Sequence, residues 1–371
     1  MPLYLTEDQA MLRDTARDFM AAEGAIAQQL RKYRDMNCKD GFGHGLWKQF
    51  AELGFTGILA DEADGGLGLG HVEAGIVLEE IGRNLTPSPF LITAVAAVEG
   101  LRGSPLKERW LPGILAGDTV AALAIDEGAK HRPESIAMEA ARAGNGFRLT
   151  GRKQFVVQGA SADFFLVAAR AEEGLTLFAV GKDASNLDVE GARLADSSIG
   201  ARLDFRGVEV DSDAVIGEVG QGAAVLNRIL AAGRAGAASE MVGVASGAMA
   251  MTVDYLRQRK QFGKLIGEFQ ALQFRAAHLY SELEIARAAA LKAQQLLDEG
   301  SEEAEAMVSV AKAKAGQVST LAVQEGVQMH GGIGMTDEYD IGLYMKRDRV
   351  LNELFGDANY HADRLARLKG Y

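Results

Sequence analysis

One cysteine in 371 residues, Cys38, leaves no disulfide to form within the chain and fits a reducing compartment. It stands near a loop and reads as an ordinary thiol rather than a nucleophile. Positive charge is also scarce. Lys and Arg number 39 against 51 Asp and Glu, a net charge of -12, which excludes a general basic face for nucleic acid. An anionic ligand is still admissible, because a few arginines or a helix N-terminus can hold phosphate on an acidic protein. No apolar run reaches the roughly 18 residues that would span a bilayer. The start, MPLYLTEDQAML, has no basic stretch followed by an apolar one, so the expectation is a cytoplasmic protein with no membrane segment.

Several motifs are missing too. Gly65–Gly70 (GGLGLG) lacks GxGxxG spacing and follows no predicted strand. Gly331-Gly332-Ile333-Gly334 lacks that spacing and follows a helix, so neither is a dinucleotide fingerprint. GxxxxGK[ST] and GxSxG do not occur. The histidines (His44, His71, His131, His278, His330 and His361) form no HExxH or similar spacing, and no metal is expected.

What is present is a globular composition, 48% hydrophobic and 24% charged, in a chain long enough for two or three packed units. Thr6 and Gln9 have capping-box spacing ahead of a stripe through Met11, Leu12, Ala16, Phe19 and Met20. A second helix carries Leu46, Trp47, Phe50 and Leu53 and stops at Gly54. From Val120 to about Gly217 short runs such as VAALAI, QFVVQ, FFLVAA and LTLFAV mark an antiparallel β unit. Helical period then returns through Ala231–Arg259, Glu268–Glu299 and Glu302–His330, with one more helix before the C-terminus. The expected class is α+β: a helical domain over residues 1–117, a β domain over 118–217 and a helical bundle over 218–371. Strands and helices do not alternate, which excludes a doubly wound sheet.

Two segments carry chemistry. In Tyr255–Gln270 a helix breaks at Phe262-Gly263 and a new one begins. Arg259 and Gln270 flank that break, where an arginine can grip a pyrophosphate and a glutamine a sugar or base. In Gln328-Met-His-Gly331-Gly332-Ile-Gly334, glycines after a helix let backbone amides approach a ligand. Each alone also reads as an ordinary helix end.

Together these segments resemble the acyl-CoA dehydrogenases, with R-x-x-F-G, then F-Q, then Q-x-x-G-G-x-G. LTEDQAMLRDTARDF, LWKQFAELGFTGI, GRKQFVV with Ala162-Asp163, and FRGVEVDSDAVIGEVGQG extend the match over essentially the whole chain. The resemblance implies three domains, a dimer or tetramer, and FAD lying across a subunit interface. It assigns Arg259, Gln261, Phe262, Gln270, Gln328, Gly331 and Gly332 to the cofactor, with Phe155 and Val157 on the flavin side. It also implies an acyl-CoA thioester as substrate and an electron-transfer flavoprotein or similar acceptor.

The catalytic carboxylate of that family is absent. One branch carries its Glu in Y-E-G-T, matched here by Phe355-Gly356-Asp357-Ala358, and another carries Glu-Arg, matched by Gly233-Arg234. T-E-P-x-x-G-S-D is replaced by Ile125-Asp126-Glu127-Gly128 onward to Arg132, and W-I-T by Phe155-Val156-Val157. Val157 has no hydroxyl for the isoalloxazine. MHGGIGMTDEY and LFGDANYHADRLARL resemble the small-subunit branch, such as pimeloyl-CoA dehydrogenase small subunits and partner chains of steroid side-chain dehydrogenases.

Three readings follow. The chain is a partner subunit completing the site of a Glu-bearing relative; a self-sufficient dehydrogenase whose base is Asp357; or a flavoprotein of this fold acting on another substrate, such as a nitroalkane. Asp357 also reads as a helix N-cap. Arg234 reads either as a cation steadying an enolate or as an internal ion pair.

Overall fold

The first helix starts at a reciprocal cap. Thr6 Oγ1 accepts the Gln9 amide at 3.2 Å, and Gln9 Oε1 accepts the Thr6 amide at 3.0 Å. The computed structural model describes residues 3–371. Its main helices are α1 (Glu7–Ala22), α2 (His44–Glu52), α3 (His71–Asn84), α4 (Lys107–Leu115), α5 (Gly222–Gln258), α6 (Gln270–Asp298), α7 (Ala304–His330), α8 (Ile341–Glu353) and α9 (Ala358–Leu368). The single helix expected before the C-terminus is thus two, α8 and α9, separated by a turn. The chain divides into two compact units. One holds the N-terminal stretch through Arg31, His71–Thr86 and Arg234–Tyr371; the other holds Lys32–Gly70 and Pro87–Gly233. Among the described residues no helix is long and apolar enough to cross a membrane.

In the first unit α7 packs against α6, α8 and α9, while α3 packs against α1 and α6. The α7 stripe Val308, Ala311, Ala315, Val318 and Ala322 is buried along its length, as its helical spacing requires. Residues 234–258 of α5 lie against α3 at a crossing where two helices meet without side chains between them. A Cβ on Gly243 would come within 2.8 Å of the Arg83 amide, and one on Gly82 within 3.0 Å of the Val244 amide. Glycine is required there for backbone approach rather than for its φ. Buried carboxylates on these two helices are ion-paired: Glu80 of α3 sits between Arg17 of α1 (2.9 Å) and Arg83 (3.0 Å), and Glu240 of α5 pairs with Arg347 of α8 at 2.5 Å. Each charge in these pairs keeps a partner, which its removal from water demands.

The second unit is built on an eight-stranded sheet: β1 (Ala121–Ala124), β2 (Glu139–Ala143), β3 (Gly146–Val157), β4 (Phe164–Ala171), β5 (Gly174–Gly181), β6 (Leu187–Arg193), β7 (Ile199–Val210) and β8 (Val215–Ile216). Its order is β6-β7-β3-β2-β4-β5-β8, with β1 beside β4. The expected antiparallel unit is in detail a mixed sheet, because β1 and β2 run parallel to β4. A strand's own alternation reports which face is buried, not which way its neighbour runs. β4 is buried at all but one position, as a central strand should be. Phe147, Phe165, Phe178 and Leu149 form the core of the sheet. The glycine-rich stretch 61–70 folds back on the chain, with the Leu67 amide donating to Gly57 and the Leu69 amide to Ile58.

Candidate active site

Between α5 and α6 the expected helix break is a two-stranded hairpin, β9 (Lys260–Gln261) and β10 (Lys264–Leu265). Phe262 and Gly263 both have positive φ, 53° and 81°, the requirement of a type I′ turn. Arg259 anchors the hairpin through its backbone: its amide donates to Tyr255 and its carbonyl accepts from Ile266, each at 2.9 Å. Its side chain is exposed, and among the described residues no carboxylate pairs with it. The Phe262 ring is 82% exposed, unusual for so large an apolar group. Gln261 and Gln270 are exposed beside it.

The glycine segment meets this hairpin within the same unit. Leu256, Ile266 and Met329 form one small apolar cluster, and the Tyr255 and His330 rings stack at 4.4 Å. His330 Nδ1 donates to the Gly326 carbonyl at 2.7 Å, and its buried Nε2 has no partner. Burial holds that imidazole below its ordinary pKa. Gln328 is exposed, and a Cβ on Gly331 or Gly332 would meet nothing within 4 Å. Seven of the sequence-predicted residues therefore border one cluster and face away from their own unit: Arg259, Gln261, Phe262, Gln270, Gln328, Gly331 and Gly332.

A second corner surrounds Gly356. Arg234 on α5 is buried; its Nη2 donates to Tyr360 Oη at 3.0 Å, and its Nε lies 3.4 Å from the Phe355 carbonyl. Burial pushes its pKa down to about 10. Asp357 accepts the Tyr360 amide at 2.8 Å and is the N-cap of α9. Two further groups complete the corner. Lys312 on α7, fully enclosed, donates to the Leu351 and Gly356 carbonyls, and burial first, then Arg234, pushes it down to about 7. His361 Nε2 donates to the Phe355 carbonyl at 3.1 Å, leaving its buried Nδ1 without a partner. Burial, then the charges of Lys312 and Arg234, hold it neutral with a pKa of about 2.

Sequence reasoning passed over Lys312, Tyr360 and His361. The signal for Lys312 was available, since it sits on the apolar stripe of α7 beside Ala311 and Ala315. Tyr360 gave none.

In the other unit Phe155 stands at a bulge of β3, where the register with β7 shifts between Lys153 and Val156 and its φ is 52°. A bulge re-aims side chains. Val157 is buried. Lys153, wholly buried, donates to the Ile125 carbonyl at 3.0 Å and to Glu127 at 2.8 Å; Glu127 also accepts the Ala137 and Met138 amides. The segment replacing T-E-P-x-x-G-S-D is thereby fixed to β3. Among the described residues, no group of three His, Cys, Asp or Glu could hold a metal ion.

The family models for the acyl-CoA dehydrogenase C-terminal and N-terminal domains match residues 220–369 and 6–118. Cyclohex-1-ene-1-carbonyl-CoA dehydrogenase of Geobacter metallireducens is 30% identical over 379 residues, spanning 96% of this chain and 96% of that protein. The chain belongs to the acyl-CoA dehydrogenase family. A caffeyl-CoA reductase–Etf complex subunit of Acetobacterium woodii is 29% identical over 94% of each chain. Among solved structures, the Tcur3481-Tcur3483 steroid ACAD aligns with a TM-score of 0.90 at 29% identity, covering 98% of both chains. This acyl-CoA dehydrogenase is accordingly an FAD-dependent oxidoreductase of acyl-CoA thioesters, with the helical, sheet and bundle parts its family shares.

Proposed function

We propose that the chain holds FAD through the β9–β10 hairpin and the glycine segment, and oxidises the α,β-bond of an acyl-CoA thioester. The observation that carries this reading is the convergence of both segments on the Leu256, Ile266 and Met329 cluster, with their polar groups outward. The residues fit the cofactor. Arg259 has an exposed guanidinium, paired with no carboxylate among the described residues, for a pyrophosphate. Gly331 and Gly332 leave open space for backbone approach, and Gln261, Gln270 and Gln328 offer amides. Phe262 presents a ring face. Bound FAD supplies the two-electron acceptor for hydride. Phe155 and Val157 are assigned to its flavin side.

Exposure of so many cofactor residues supports a dimer or tetramer in which a neighbouring chain covers them. An electron-transfer flavoprotein or similar carrier would then take up the electrons; one similar protein is named as part of an Etf complex. A second reading rests on Gly233 and Gly356, which leave both family positions of the base without a carboxylate. On that reading the chain belongs to the small-subunit branch and completes the site of a Glu-bearing partner.

The test is the visible spectrum of the chain purified alone, before and after a panel of acyl-CoAs. A flavin band bleached by one of them supports a self-sufficient dehydrogenase. A band that none bleaches, restored to bleaching by a Glu-bearing relative, supports the partner-subunit reading. No band in either case refutes the assignment of these residues to FAD.

A further inference from the structure

Gly356 has a φ of 101°, and a Cβ built on it would lie 2.9 Å from Tyr360 Cγ, 3.0 Å from Cε1 and closer still to Cδ1. The space that a side chain at 356 would enter is the space the Tyr360 ring fills. We propose that Tyr360 is the group that exchanges a proton with the α-carbon of the acyl thioester, its ring standing where a carboxylate on residue 356 would stand. The proposal rests on the acyl-CoA reading above and names the base that reading leaves open.

Three observations support it. Tyr360 Oη accepts a hydrogen bond from the buried Arg234 guanidinium, whose Cζ lies 5.4 Å from the ring centroid, so negative charge on that oxygen is stabilised by a cation shielded from water. Arg364 beside Arg234 adds to the positive field; His361 stays neutral, and Lys312, whose Nζ reaches the Gly356 carbonyl, gives up its proton above about pH 7. Asp348, Asp357, Glu305 and Glu353 lie around these cations and balance them. Finally, the other titratable groups of the corner are committed. Asp357 caps α9, Lys312 is shared by two carbonyls in full burial, and His361 is fully enclosed against the Phe355 carbonyl. Tyr360 is only half-buried.

The step balances as follows. Tyr360 enters deprotonated, its proton having gone to solvent. The phenolate oxygen takes the α-proton, and the electron pair of that C–H bond becomes the new π bond. Bound FAD would supply the two-electron acceptor for the hydride that leaves the β-carbon. In the reverse, reductive direction, the Tyr360 hydroxyl returns the proton to the α-carbon.

The decisive experiment follows wash-in of deuterium at the α-carbon of a bound acyl-CoA by mass spectrometry, alongside binding of that acyl-CoA by calorimetry. Tyr360→Phe keeps the ring and removes the oxygen. The expected result is exchange slowed by about 100-fold or more with binding unchanged, the scale of a lost general base. Exchange at the wild-type rate in Tyr360→Phe overturns the proposal. So does a wild-type chain that binds the thioester and exchanges nothing, in which case the ring merely fills the pocket and the partner-subunit reading stands. A chain that binds no acyl-CoA at all fails the acyl-CoA reading itself, and this proposal with it. A cofactor-free measurement checks the geometry. Gly356→Ala should lower Tm more in the wild type than in a Tyr360→Ala background, since φ strain is common to both and the ring clash is not. Equal losses would mean the ring does not occupy that space, and would overturn the proposal.

Discussion

Lys312 Nζ donates to the Leu351 carbonyl at 2.9 Å and the Gly356 carbonyl at 3.1 Å, so one amine on α7 ties down both ends of the turn joining α8 to α9. Burial brings its pKa from 10.5 to about 7. Between those values the unfolded chain holds a proton that the folded chain has released, so folding stability rises with pH across the window. Below about pH 7 the cost of the buried charge is fully present. Urea unfolding at about pH 7 and about pH 9.5 should show that rise in the wild type and a flatter profile in Lys312→Met. At the upper pH the variant should be the less stable, by about 1–3 kcal/mol for each carbonyl left without a donor.

The α3–α5 crossing reverses an ordinary expectation. Glycine to alanine inside a helix normally stabilises by up to about 1 kcal/mol. Gly243→Ala should instead destabilise by about 1–3 kcal/mol, because its Cβ would press on the Arg83 amide and the Glu79 carbonyl. Gly45→Ala, on α2 with nothing within 4 Å of its Cβ, is the control and should be neutral or stabilising. Thermal unfolding of the two variants distinguishes them by sign.

Arg259→Gln should weaken FAD binding by about 10- to 100-fold, the loss of a charge-assisted hydrogen bond of about 1.5–3 kcal/mol. Among the described residues its exposed side chain makes no ion pair, so circular dichroism and Tm of the cofactor-free protein should not change. Flavin retention on dilution, read from visible absorbance, is the measurement. Retention equal to wild type would remove Arg259 from the cofactor site.

Buried Lys153 and half-buried Glu127 form an ion pair beneath the segment from Ile125 to Met138. Lys153→Met leaves Glu127 without its cation and the Ile125 carbonyl without its donor, and should cost about 1–3 kcal/mol, since Glu127 is partly exposed and keeps the Ala137 and Met138 amides. Adding Glu127→Gln removes the orphaned charge and should recover part of that loss. Equal stability of the single and double variants in denaturant would show that the two residues act independently.

The helix, sheet, helix order was legible because hydrophobic period changes near Gly117 and again after Gly222, and period follows directly from backbone geometry. The cap at Thr6 was legible for the same local reason. The parallel pairing of β1 and β2 with β4 was not, since strand direction depends on where the chain crosses over. The turn at Phe262-Gly263 read as a break, but a hairpin and a helix end share the same glycine signal, and only the paired φ values separate them. Asp357 was read both as a base and as a cap; its carboxylate caps α9. Tyr360 could not be read at all. Its position follows from the backbone of Gly356 and the starting angle of α9, neither of which residue type reports.

The turn between α8 and α9 also fixes the order in which this chain could change. A single substitution from glycine to glutamate at 356 would force a side chain into the Tyr360 ring at a backbone angle that disfavours any Cβ. A smaller residue at 360 would relieve that clash, and that step alone removes one hydrogen bond of Arg234 while adding no carboxylate. A path to an acid at 356 therefore runs through an intermediate with neither the phenol nor the carboxylate, a step that gains nothing by itself.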